Sequence, residues 1–208
     1  DSAGRIWFGS WGLGLYVYSD DTPAAKVLYH YTESPEDPTS LISNDIAAIC
    51  ESREGEMWIG TPLGISVLRT DDLENGTFRQ YRHDPNDSTS LGDMRADVTL
   101  QDNTGQIWVG SRSGGLSLFH RQADSFARFK HNPYDVNSLS SDVVLSIFQD
   151  SKDRLWIGTR GGLNRFVGET GSFIHYTEAD GLQNAVINGI VEDDHANLWL
   201  STNKGLSK

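Results

Sequence analysis

The sequence of 208 residues is poor in the groups that would announce a disulfide scaffold, a metal cage or a membrane anchor. A single cysteine, Cys50, excludes a disulfide framework and a thiolate-bound metal. It lies in Asp45-Ile46-Ala47-Ala48-Ile49-Cys50, where a small buried hydrophobe is expected rather than a nucleophile. No apolar run approaches the roughly 20 residues that cross a bilayer. The opening carries no Met, no basic segment and no apolar leader. It begins at Asp1-Ser2-Ala3-Gly4, already inside a repeated motif, so the chain is expected to be an excised piece. Cations are the scarcer charge, with 17 Lys and Arg against 29 Asp and Glu and a net charge of −12. That balance argues against a nucleic-acid or anionic-membrane partner and is read as solubility. Neither a P-loop nor an HExxH motif occurs. Prolines number only 6, whereas glycines number 21 and aromatics reach 10%. Many short strands joined by tight turns suit that mixture better than helices do.

Self-similarity is what the chain has in abundance. Gly4-Arg5-Ile6-Trp7-Phe8-Gly9-Ser10, Gly55-Glu56-Met57-Trp58-Ile59-Gly60-Thr61 and Gly105-Gln106-Ile107-Trp108-Val109-Gly110-Ser111 share one pattern. Asp153-Arg154-Leu155-Trp156-Ile157-Gly158-Thr159 and Asn197-Leu198-Trp199-Leu200-Ser201-Thr202 continue it. Each is followed by a Gly and an apolar residue, at Gly14-Leu15, Gly64-Ile65, Gly115-Leu116, Gly162-Leu163 and Gly205-Leu206. The tryptophans recur every 43 to 51 residues, the period of propeller blades. Alternation within the unit around Trp108 predicts four strands, over 96–100, 106–111, 115–120 and 126–129, with a turn at Asp102-Asn103-Thr104-Gly105. An isolated four-stranded blade cannot cover its two apolar faces, and the tryptophan supplies a flat surface for its neighbour. The fold class predicted is therefore all-β, a run of about four to five β-propeller blades of four-stranded antiparallel sheets. Their approximate bounds are 1–40, 41–90, 91–138, 139–181 and 182–208, with the first and last incomplete. Trp7, Trp58, Trp108, Trp156 and Trp199 are the predicted blade-core residues, and the Gly after each of the first four is expected to let blades approach closely.

The unit Leu139-Ser140-Ser141-Asp142-Val143-Val144-Leu145-Ser146-Ile147-Phe148-Gln149-Asp150, followed by Arg154-Leu155-Trp156-Ile157-Gly158-Thr159 and Gly161-Gly162-Leu163, resembles the two-component regulator propeller repeat. The linkers strengthen the resemblance. Residues 33–41, 83–91 and 131–139 align with one another, and the fourth copy shortens to Glu178-Ala179-Asp180-Gly181-Leu182. The resemblance implies a fragment of a larger, seven-bladed propeller from the periplasmic sensor region of a bacterial hybrid two-component histidine kinase. It implies signal transduction into a phosphorelay by modules outside this segment, a small-molecule or oligosaccharide ligand, no cofactor and no catalysis here. Two alternatives stay open: a propeller enzyme such as a polysaccharide or streptogramin-type lyase, and an interaction or dimerisation scaffold.

Residue-level chemistry is sparse. Asp1, Asp102, Asp150 and Asp193 occupy equivalent turn positions, where an Asp caps the turn with its own side chain. His83 and His131 also share a repeat position. Glu33 and Glu178 replace them elsewhere, so packing on the adjacent proline is expected rather than a metal ring. The candidate ligand site is topological, on the propeller face where the loops between successive blades gather with those between second and third strands. The second-to-third-strand loops carry Trp11, Arg112, Arg160, Asn203 and Lys204, a set suited to orienting a carboxylate or sulfate on a sugar while Trp11 stacks its ring. Self-association through exposed blade edges is also expected, with no membrane contact by this segment.

Overall fold

A computed structural model describes residues 1–19 and 26–208. Its strands form five antiparallel sheets in chain order. The first contains β1 (Arg5–Gly9), β2 (Leu15–Ser19) and β3 (Lys26–Tyr31). The second contains β4 (Ala48–Glu51), β5 (Glu56–Thr61), β6 (Gly64–Arg69) and β7 (Phe78–Tyr81). β8 (Ala96–Gln101), β9 (Ile107–Ser111), β10 (Leu116–His120) and β11 (Ser125–Phe129) make the third. β12 (Val144–Gln149), β13 (Leu155–Thr159), β14 (Gly162–Val167) and β15 (Ser172–Tyr176) make the fourth, and β16 (Ile187–Glu192), β17 (Leu198–Thr202) and β18 (Gly205–Ser207) the fifth. Every sheet is an up-and-down meander, and β4, β8, β12 and β16 pack side by side as the inner strands of successive blades. The arrangement is a β-propeller arc, with one 3-10 turn at Glu178–Asp180 as its helical content among the described residues. None of the described helices is long and apolar enough to cross a membrane.

Packing between blades follows the repeat. The tryptophan of one blade lies on the apolar face of the next. Trp58 clusters with Leu91, Ala96, Ile107 and Val109, and Trp108 with Leu139, Val144, Leu155 and Ile157. Trp156 meets Ile187, Ile190 and Leu200 in the same way. Trp58 and Trp108 are 0% and 1% exposed, and each makes an edge contact at 4.9 Å with a phenylalanine of the following blade, Phe119 or Phe166. Trp7 and Trp199, in the outermost sheets, are half-buried. Gly60 and Gly110, on the second strands β5 and β9, lie against the start of the next blade's inner strand. A Cβ on Gly110 would stand 2.5 Å from Val144 Cγ1, and one on Gly60 would stand 2.6 Å from the Ala96 carbonyl oxygen. The glycine after tryptophan is thus a requirement of blade spacing. On the first sheet Ile6 and Phe8, which correspond to the buried Ile107 and Val109, are exposed.

The turn aspartates do more than cap. Asp150 Oδ1 accepts the Lys152 and Arg154 amides, while Oδ2 accepts Arg154 Nε at 2.6 Å and the Trp156 indole N–H at 2.8 Å. Asp1, Asp102 and Asp193 hold Trp7, Trp108 and Trp199 the same way, at 2.6, 2.8 and 2.9 Å. The second blade has Ser52 at this position, and Glu56 takes the Trp58 indole N–H instead, at 3.3 Å. A second bond recurs between blades. The residue following the turn aspartate, or Ser52, donates its amide to the last inner-strand residue of the next blade. The pairs are Ser2 to Glu51, Arg53 to Gln101, Asn103 to Gln149 and Ser151 to Glu192.

His83 and His131 have a hydrogen-bonding role that the sequence did not suggest. Their Nδ1 atoms bond the Leu91 and Leu139 carbonyls at 2.7 and 2.8 Å, closing the eight-residue loops that lead into the next inner strand. The described residues contain no cluster of His, Cys, Asp and Glu fit to hold a metal ion.

Candidate functional site at the axial mouth

Sheet geometry decides which side chains reach the axis. Three inner strands carry a register shift near their start, between Ala96 and Val98, Val144 and Ser146, and Ile187 and Gly189. The residues passed over are Asp97, Leu145 and Asn188. A bulge leaves its extra residue unpaired and re-aims the side chain. Asp97 and Leu145 line a cavity of about 240 Å³ with Trp11, Ile46, Ala47, Arg95, Val98, Arg112 and Val144. Four blades contribute to it. Its floor is apolar and its rim holds Trp11, two arginines and one carboxylate.

Asp97 ties the rim together. Its side chain, 11% exposed, accepts Arg95 Nε at 2.8 Å through Oδ1 and Arg112 Nε at 2.5 Å through Oδ2. The hairpin that carries Arg112 is itself anchored, since Ser113 donates both its amide (3.0 Å) and its hydroxyl (2.6 Å) to Asp93. Trp11 sits on the tip between β1 and β2, which is bound to the second blade through Ile46 N to Ser10 O (2.9 Å) and Gly14 N to Asn44 O (3.0 Å). The Arg95 guanidinium lies 5.9 Å from the centre of the Trp11 ring, within cation–π range. Trp11 is nevertheless 62% exposed.

Of the residues singled out in the sequence, Trp11 and Arg112 meet in this cavity, and Arg160, Asn203 and Lys204 are not among its lining residues. Asn203 accepts a bond from Asn188 Nδ2 at 3.0 Å, repeating the tip-to-bulge pairing of Arg112 with Asp97. Arg160 donates its amide to the Val143 carbonyl at 3.1 Å, and the bulge position of its blade is Leu145 rather than an acid. Lys204 donates its amide to Thr202 Oγ1 within its own hairpin. Arg95 and Asp97 were missed by sequence reasoning. The usable signal was their departure from the repeat: Asp45, Val143 and Val186 stand where Arg95 does, and Ala47, Leu145 and Asn188 where Asp97 does.

Comparisons with known proteins bear on the fold. The family model described as two component regulator propeller matches residues 40–62 and 138–161. No curated protein matches the chain. Among solved structures, the extracellular domain of one hybrid two component system of B. thetaiotaomicron superposes with a TM-score of 0.68 at 24% identity, over 98% of this chain and 31% of that one. Another from the same organism gives 0.65 at 18% identity, over 99% and 34%. Virginiamycin B lyase of Staphylococcus aureus gives 0.67 at 16% identity, over 99% and 66%. At these identities the likeness is one of fold, and the chain spans about a third of the two extracellular domains. The chain is a run of β-propeller blades, and two of them carry the two component regulator propeller repeat.

Proposed function

We propose that this segment is the ligand-receiving part of an extracytoplasmic, periplasmic sensor, that its ligand is carbohydrate-related, and that the ligand seats at the axial mouth. The observation that carries the reading is the position of Trp11. Five of the six tryptophans occupy the repeated, clasped position, and the sixth stands exposed at a cavity that four blades share. An exposed aromatic above an apolar floor with a few fixed polar groups is the form of a small-ligand site. The matched repeat and the likeness to extracellular domains of two component systems support the sensing role. Thermal-shift screening against mono- and oligosaccharides tests it. Saturable stabilisation by a sugar, lost in Trp11→Ala while the unliganded melting temperature stays within a degree or two, is the expected result. Stabilisation that survives Trp11→Ala would move the site elsewhere, and silence across the screen would favour the scaffold reading.

The likeness to virginiamycin B lyase motivates a second reading, a propeller enzyme. The cavity's lining offers one carboxylate, Asp97, already committed to two arginines, and no histidine. That chemistry favours holding a ligand over transferring a proton. Product formation during the same screen would reverse the preference.

A further inference from the structure

We infer that the ligand of the axial mouth is a pyranose carrying one anionic group, a carboxylate or a sulfate ester, seated on Arg95 and Arg112 with its ring against Trp11. The inference rests on the reading of this mouth as the ligand site and adds the charge of what enters it.

Three departures from the repeat converge at one place. Arg95 and Asp97 each occur in one blade, and Trp11 stands where the other blades have Pro62, Arg112, Arg160 and Asn203. Residues that build the fold recur along the chain, as the clasped tryptophans do in all five sheets and the spacing glycines in four. A cluster drawn from single-copy positions owes nothing to blade packing. It also holds more positive than negative charge, with two guanidiniums on one carboxylate, in a chain whose net charge is −12.

The geometry gives that charge a use. Both arginines bind Asp97 through Nε, and among the described residues neither Nη pair has a protein hydrogen-bond partner. A guanidinium held by Nε has already lost much of its rotamer freedom and presents its terminal fork in place, and forks of this kind pair with planar carboxylates and with sulfate oxygens. Asp97 itself, nearly buried, keeps the two forks adjacent and offsets part of their mutual repulsion. One further negative charge completes the balance. The requirement for a ring comes from Trp11, which is 62% exposed, and from the aliphatic floor of Ile46, Ala47, Val98 and Val144. A cavity of about 240 Å³ accommodates one sugar ring with its substituents.

The test is isothermal titration of the protein with four probes: glucose, glucuronamide, glucuronate and glucose 6-sulfate. At least one of the two anions should bind about tenfold tighter than both neutral probes, and which one does so names the head group. Arg112→Gln and Arg95→Gln should each remove most of that preference. Either variant leaves Asp97 paired with the remaining arginine, so folding is expected to survive and is checked by the unliganded melting temperature. Arg160→Gln, on the equivalent tip of the next blade but outside the cavity lining, should change nothing. Neutral and anionic probes binding alike would overturn the inference and leave the ligand-site reading standing. A preference that survives in both Gln variants, or that Arg160→Gln abolishes as fully, would overturn it equally. Absence of binding by all four, and by the wider sugar screen, would remove the ligand-site reading and the inference with it.

Discussion

Replacing Asp150 with Ala tests whether the turn aspartate holds the blade together or merely ends a hairpin. The carboxylate accepts four donors, two amides and Arg154 Nε from its own turn and the indole N–H of Trp156. Water can reach the turn amides after truncation, but it cannot reach the indole N–H beneath the fifth blade. Orphaning a buried donor costs about 1–3 kcal/mol, and hydrogen bonds to a charged group contribute ~1.5–3 kcal/mol where water does not replace them. A loss of about 2–4 kcal/mol is therefore expected in urea unfolding followed by circular dichroism. Ser52→Ala is the internal control, at under ~1 kcal/mol, because Glu56 rather than Ser52 meets the Trp58 indole. Acidity supplies a second readout. Burial pushes the Asp150 carboxyl up, but the bonds from Trp156, from Arg154 and from the Lys152 amide outweigh it and hold the group below the usual carboxylate range. A depressed folded value stabilises the protein above the ordinary pKa of about 3.9 and ceases to do so as the pH falls through the lower, folded value. The gap between wild type and Asp150→Ala should thus be constant from pH 7 to 5 and narrow below about pH 4. A deficit under ~0.5 kcal/mol, or one that does not narrow in acid, would refute the clasp.

Two further outcomes follow from the blade interfaces. Trp108→Ala should cost roughly 3–5 kcal/mol and half-buried Trp199→Ala about 1–2 kcal/mol in equivalent unfolding titrations; equal costs would contradict the stacking of each tryptophan on the following blade. Gly110→Ala should lose about 1–3 kcal/mol through the clash with Val144, and Gly110→Ala with Val144→Ala together should lose less than the sum of the separate changes. Strict additivity would show that the two blades do not meet there.

The fold was legible because its cause repeats. A tryptophan with apolar neighbours, a glycine behind it and an aspartate six residues ahead recur at blade spacing, and the strands of the Trp108 unit fall within a residue or two of where alternation puts them. The indole-to-carboxylate bond was not legible as such. The sequence shows the constant separation of Asp102 from Trp108, but which groups meet across a hairpin depends on its twist. The mouth was half legible. Trp11 and Arg112 stand on tips that topology alone sends to one face, whereas Asp97 reaches it through a bulge, an irregularity of pairing that leaves no mark on apolar alternation, and Arg95 from the residue just before that strand. Arg160, Asn203 and Lys204 share the tips of Trp11 and Arg112, yet equivalence in the repeat does not bring them into the same cavity.

The amide bonds from each turn to Glu51, Gln101, Gln149 and Glu192 have a mechanical consequence. Their acceptors sit at the ends of flexible side chains, so this contact adapts to small differences in the angle between blades. A pair of backbone strands would fix the angle between neighbouring blades, whereas a carboxyl or carboxamide on rotatable bonds follows its donor through small changes of tilt without letting go. Backbone bonds at the tips, Ile46 N to Ser10 O and Gly115 N to Asp142 O, hold neighbouring blades as well, so a joint of this kind combines a fixed contact on one face with an adaptable one on the other.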